Sequence, residues 1–125
     1  MRYLLDTHAL IWYSEQNGRL PSKLEKMLDS PENWIYISSA SLWEITIKSS
    51  LGKLDTSLSK LLEGVKESGF QILQIENMFL DELQNLPKIH KDPFDRLLIA
   101  TAKASKLTLI TADENIQKYD IDWIW

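Results

Sequence analysis

Four acidic residues occupy places where a soluble chain has little reason to put a charge. Asp6 ends the apolar run RYLLD (residues 2–6), and Asp113 follows the run LTLITA (107–112). Asp95 lies three, four and seven residues before Leu98, Ile99 and Ala102, so in a helix it shares their face. Glu44 sits between Ala40 and Ile47 on a stripe that reads Ala40, Trp43, Ile47 and Leu51. A glutamate on an apolar stripe needs a cation, a proton or a metal, because buried Glu is almost always paired. Glu63 and Glu67 differ: Lys60 and Lys66 share their face, and solvation explains them. Asp92 and Asp113 each have a second explanation as helix N-caps.

If the four acids meet, they cannot all stay ionised and unpartnered. Two carboxylates about 4 Å apart repel by roughly 4 kcal/mol at an effective dielectric near 20. Either protons remain bound or a divalent cation neutralises the group. The chain contains no cysteine, so the donors would be oxygens, which suit Mg²⁺ or Mn²⁺. Carboxylates holding such an ion against a phosphate form the arrangement of metal-assisted phosphodiester hydrolysis.

Elements of two kinds must position these residues. RYLLD, NWIYISS (33–39), FQILQI (70–75) and LTLITA read as strands, with IDWIW (121–125) as a possible edge strand. Helices are expected over 7–15 with Thr7 as a possible cap, over 21–28, over 39–53 stopped at Gly52, and over 57–69 ended by Gly69. Further helices are expected over 77–87 and 92–106, the latter with Pro93 at its first position, and a short one over 113–119. Alternating strands and helices imply a parallel sheet covered on both faces, with ligands outside the carboxyl ends of the strands.

Composition narrows the function. The 125 residues suit one domain. Apolar runs are too short for a membrane span, and the N-terminus reads as a first strand rather than a signal peptide. Absence of cysteine is compatible with a reducing cytoplasm. Net charge is −4, so any nucleic-acid contact must be local rather than a bulk charge effect. Five tryptophans are expected to fill the core or an interface. Trp43 is assigned to the core, and Trp123 and Trp125 to an interface.

The segments LLDTHALIW, SSASLWEITIK, HKDPFDRLLIATA and LTLITADENIQKY resemble, in that order, the signature segments of the PIN-domain ribonucleases. They are most similar to the toxin components of bacterial VapBC toxin–antitoxin pairs, and the resemblance runs from residue 3 to residue 119. It implies a three-layer α/β/α sandwich around a central, mainly parallel sheet. It implies an acidic site of Asp6, Glu44, Asp95 and Asp113 binding Mg²⁺ or Mn²⁺, with Glu114 and Asn115 as neighbouring candidates for the fourth position. The implied activity is endonucleolytic cleavage of RNA, held in check by an antitoxin whose tail enters the groove, in a protein that is usually a homodimer.

Around such a site, Thr7 and Thr111 could offer hydroxyls to water or metal. Lys48 and Arg96, with Lys53, Lys88 and Lys91, could contact phosphates or simply be solvated; Arg96 could also pair with Asp95. His8 and His90 are expected to be structural or orienting. Two other readings keep less of the chemistry: a catalytically weak module that binds RNA or protein, and a small-molecule phosphohydrolase. The second lacks a Gly-rich phosphate loop and a D-x-D-x-T motif.

Overall fold

Strand β1 (Arg2–Leu5) is buried along its last three residues, and that double-sided burial determines the architecture. In the computed structural model, which describes residues 1–16 and 18–125, β1 lies at the centre of a five-stranded sheet. Its neighbours are β2 (Trp34–Ser38) and β4 (Thr108–Ile110), flanked by β3 (Gln71–Leu73) and β5 (Trp123–Ile124). Every pairing is parallel, with Leu5 level with Ile37 on one side and Ile110 on the other. Side chains alternate across the sheet. Tyr3, Leu5, Ile35, Ile37 and Ile110 meet helices α1 (Thr7–Glu15), α2 (Ser22–Asp29) and α4 (Leu58–Ser68) on one face. Leu4 and Leu109 meet α6 (Pro93–Ser105) and α7 (Glu114–Gln117) on the other, through Leu98, Ile99, Ala102 and Ile116. The three-layer α/β/α expectation is the observed fold.

Helix α3 (Ser39–Ser50) starts at the residue after β2 and so leaves the sheet at its carboxyl end. It bridges both layers: Ile45 joins the first core, while Ala40 packs with Leu97 and with Phe79 of α5 (Asn77–Gln84). None of the described helices is long and apolar enough to cross a membrane.

Several boundaries follow the expected residues. Asp92 caps α6 by accepting the Asp95 N–H at 2.9 Å, and Pro93 opens the helix. Gly69 takes the left-handed conformation (φ 76°) that closes α4. Two expectations fail. Asp6, not Thr7, caps α1, accepting the Ala9 N–H at 2.7 Å. The inner face of α3 is Ala40, Ser41, Glu44 and Ile45, whereas Trp43 is 57% and Leu51 63% exposed. Trp43 is therefore not a core residue; its ring meets Phe94 edge-on, 5.0 Å between centroids, at the surface.

Candidate acidic metal site

The four acids arrive from four separate segments, and each is held by the start of a helix or by a helix face. Asp6 directly follows β1, where the sheet ladder continues through its own N–H to Ile110 O at 3.1 Å. The bond from Ala9 orients its carboxylate, which is only 3% exposed. Burial raises its pKa above the usual aspartate range, and the nearby charge of Asp113 adds to the rise; the Thr111 hydroxyl opposes it. Asp113 caps α7, accepting N–H bonds from Asn115 at 2.8 Å and Ile116 at 3.3 Å. Its own N–H donates to Thr111 Oγ1 at 3.1 Å. Asp113 is half-buried, while Glu114 and Asn115 are exposed.

Asp95 sits in the first turn of α6 with Leu98, Ile99 and Ala102 buried behind it. Its pKa is pushed up to about 6, chiefly by burial and further by the charges of Asp92, Glu44 and Asp113, against a hydrogen bond with His90. Glu44 and Asp113 are thus close enough to be felt at Asp95, as Asp113 is at Asp6. Glu44 is 7% exposed. Lys48, one turn later, pairs with its Oε2 at 3.0 Å, yet Oε1 is buried with no hydrogen-bond partner among the described residues. A buried carboxylate oxygen left unpaired is costly unless something else binds it.

This arrangement fits a hard divalent cation. Charges of one sign converge, two carboxylates hold their protons more tightly than usual, and one buried oxygen is unsatisfied. Ligand atoms of His90, Asp95 and Asp113 all lie within 4.8 Å of one another. A cavity of about 570 Å³ opens elsewhere, lined by Tyr13, Asp55, Lys60 and Phe70 among others. It contains none of the four acids, so chemistry rather than volume identifies the site.

The flanking residues divide. Thr7 is buried and donates to Ser41 Oγ at 3.0 Å, tying α1 to α3. Arg96 forms no ion pair with Asp95 among the described residues. Its Nη1 donates to Pro87 O at 2.9 Å and to Tyr119 Oη at 3.1 Å. Lys53, Lys88 and Lys91 are exposed. His8 is exposed beside Trp12, with ring centroids 5.9 Å apart, and Trp12 in turn meets Trp125 at 5.7 Å. Trp123 is 42% exposed on the edge strand. His90 joins the site although sequence reading gave it no ligand role: Nε2 lies 2.8 Å from Asp95 Oδ2. Its position in a loop five residues before Asp95 follows no helical or strand period, so only the folded chain reveals the contact.

The family model described as PIN domain matches residues 3–122. No curated protein matches the chain in sequence. Among solved structures, VapBC2 from Rickettsia felis, bound to a DNA fragment from their promoter, superposes with a TM-score of 0.79 at 19% identity, covering 99% of this chain and 98% of that one. FitAcB from Neisseria gonorrhoeae gives 0.68 at 20% identity, covering 98% and 96%. A toxin–antitoxin complex from Klebsiella pneumoniae gives 0.66 at 22% identity, again covering 98% and 96%.

Proposed function

Because this chain belongs to the PIN domain family, we propose that it is a Mg²⁺- or Mn²⁺-dependent endoribonuclease, the toxin of a toxin–antitoxin pair. The observation that carries the proposal is the chain of mutual influence among the acids: Asp113 acts on both Asp6 and Asp95, Glu44 acts on Asp95, and Glu44 Oε1 is buried with no hydrogen-bond partner among the described residues. The solved toxin–antitoxin complex from Klebsiella pneumoniae, similar in fold, supports the partner assignment.

In this reading Asp6, Glu44, Asp95 and Asp113 hold the cation. Once bound, such an ion supplies Lewis-acid polarisation of a phosphoryl oxygen and activation of a water for attack. The chain supplies the placement. Ala9 N–H fixes the Asp6 carboxylate, the first amides of α7 fix Asp113, and Lys48 holds one oxygen of Glu44 and leaves the other to the ion. The aspartate at the start of α6 lies where free helical amides favour an anion. Thr7 serves the site indirectly, by locking the cap of α1 onto α3.

RNA must reach this acidic crevice on a chain of net charge −4. Exposed Lys53, Lys88 and Lys91, with Lys48 and Arg96 nearer the acids, are the proposed phosphate contacts. Each contact removed should lower the salt slope of single-stranded RNA binding by roughly 0.7. The proposal also includes a homodimer and a cognate antitoxin covering the groove. A chain without cysteine suits a reducing compartment, so we place the protein in the cytoplasm.

Cleavage of RNA by the purified chain with Mn²⁺, its loss with EDTA, and its loss in Asp6→Asn test the activity. RNA that is bound but never cut under any divalent ion would overturn it and leave a binding module.

A further inference from the structure

The loop between α5 and α6 lacks regular structure, yet its histidine is held from several sides. His90 N–H donates to Tyr119 Oη at 2.8 Å. Arg96 Nη1 donates to the same hydroxyl, to Pro87 O, and at 3.4 Å to His90 O. Tyr119 is 4% exposed and belongs to the core beneath β1 and β4. One phenol and one guanidinium thus tie the loop backbone to the interior. The consequence is a fixed aim for the imidazole: Nε2 points at Asp95 Oδ2 from 2.8 Å, within a cluster whose third member is Asp113. A histidine that only filled space in the loop would not need a ring nitrogen directed at the acids. A second observation points to a ligand in the same crevice. Among the described residues Glu44 Oε1 is buried without a hydrogen-bond partner, and the Glu44 charge acts on Asp95.

Resting on the carboxylate-site reading above, we propose that His90 is itself a metal ligand, with Nε2 joining Asp95 and Asp113 as a nitrogen donor. The donor set then mixes one imidazole with carboxylates. Mg²⁺ gains little from an imidazole, whereas first-row transition ions gain more, in the Irving–Williams order. His90 therefore biases the site away from Mg²⁺ and toward Mn²⁺ or Co²⁺. Coordination needs an unprotonated Nε2, so the Nε2–Oδ2 hydrogen bond gives way when the ion takes its place.

Pulsed electron paramagnetic resonance of the full chain with Mn²⁺ tests this without any activity assay. The wild-type protein is expected to show ¹⁴N coupling to the bound ion. His90→Gln is expected to lose that coupling and to bind Mn²⁺ about 10-fold more weakly or worse, with a much smaller change for Mg²⁺. Mn²⁺ bound to the wild type without nitrogen coupling overturns the proposal and leaves the carboxylate site standing. Failure of Mn²⁺ to bind at all overturns both. The wild-type spectrum decides alone, so the result does not depend on how the variant folds.

Discussion

Helices α3 and α4 both carry glutamates among leucines, isoleucines or valines, yet they treat them in opposite ways. In α4, Leu61 and Val65 face the core while Glu63 and Glu67 face water. In α3, Glu44 and Ser41 face inward while Trp43, Ile47 and Leu51 face out. The apolar stripe of α4 is its buried face. The apolar stripe of α3 is mostly its exposed one. The difference is that Glu63 and Glu67 of α4 stand in solvent, whereas Glu44 of α3 is buried close enough to Asp95 for its charge to be felt there. A site can claim the face that hydrophobic pattern would assign to the core, and the displaced apolar side chains then stand in solvent.

The contrast can be broken most strongly at the carboxylates. Asp6→Asn and Asp95→Asn should each lower RNA cleavage by about two to four orders of magnitude. Glu44→Gln should act in the same direction and weaken divalent-ion binding by about 10–100-fold, as measured by calorimetry. Glu63→Gln on α4 should leave both unchanged within error; an equal loss there would erase the distinction between the helices.

Stability should divide the helices the other way. Leu61→Ala in α4 is expected to cost about 2–5 kcal/mol in denaturant unfolding. Trp43→Ala in α3 should cost well under half of that despite the larger side chain, since its ring is mostly exposed. A Trp43 variant as damaged as a core variant would restore the original stripe reading.

A smaller effect concerns pH. The Asp95 pKa rises from the ordinary aspartate value of 3.8 to about 6 on folding. The folded state therefore binds that proton more tightly than the unfolded chain. The resulting stability is fully present below about pH 4 and is lost as pH rises through about 6. Thermal unfolding in EDTA should show a larger loss for the wild type than for Asp95→Asn, which keeps only the contribution of Asp6. Saturating Mn²⁺ should reverse the trend, because ion binding favours the ionised carboxylate. A wild-type curve parallel to that of Asp95→Asn would show that Asp95 does not hold its proton more tightly in the folded chain.

Much of this was legible in residue order. The α6 cap and its Pro93, the glycine stop of α4, the strand cores and the alternation of strands and helices all rest on interactions within a few residues. Each of the four acids stands out in the sequence because it violates a local rule: a charge at a strand end, or on an apolar face. The cap of α1 was misread by one residue, because Asp and Thr at adjacent positions compete for the same role. Trp43 was misplaced because the stripe Ala40–Trp43–Ile47–Leu51 is a sound amphipathic pattern by itself.

The chain by itself determined which segments form strands and helices, that the sheet is parallel, and which carboxylates lack a local reason to be charged. Those properties follow from short-range geometry and from the cost of burying polar groups. Only the tertiary structure decided which face of α3 turns inward, that Lys48 covers just one oxygen of Glu44, and that a loop pinned by Arg96 and Tyr119 brings His90 to Asp95. Apart from the Lys48–Glu44 pair inside α3, those contacts join residues across different elements, and their distances depend on how the layers pack rather than on spacing along the chain.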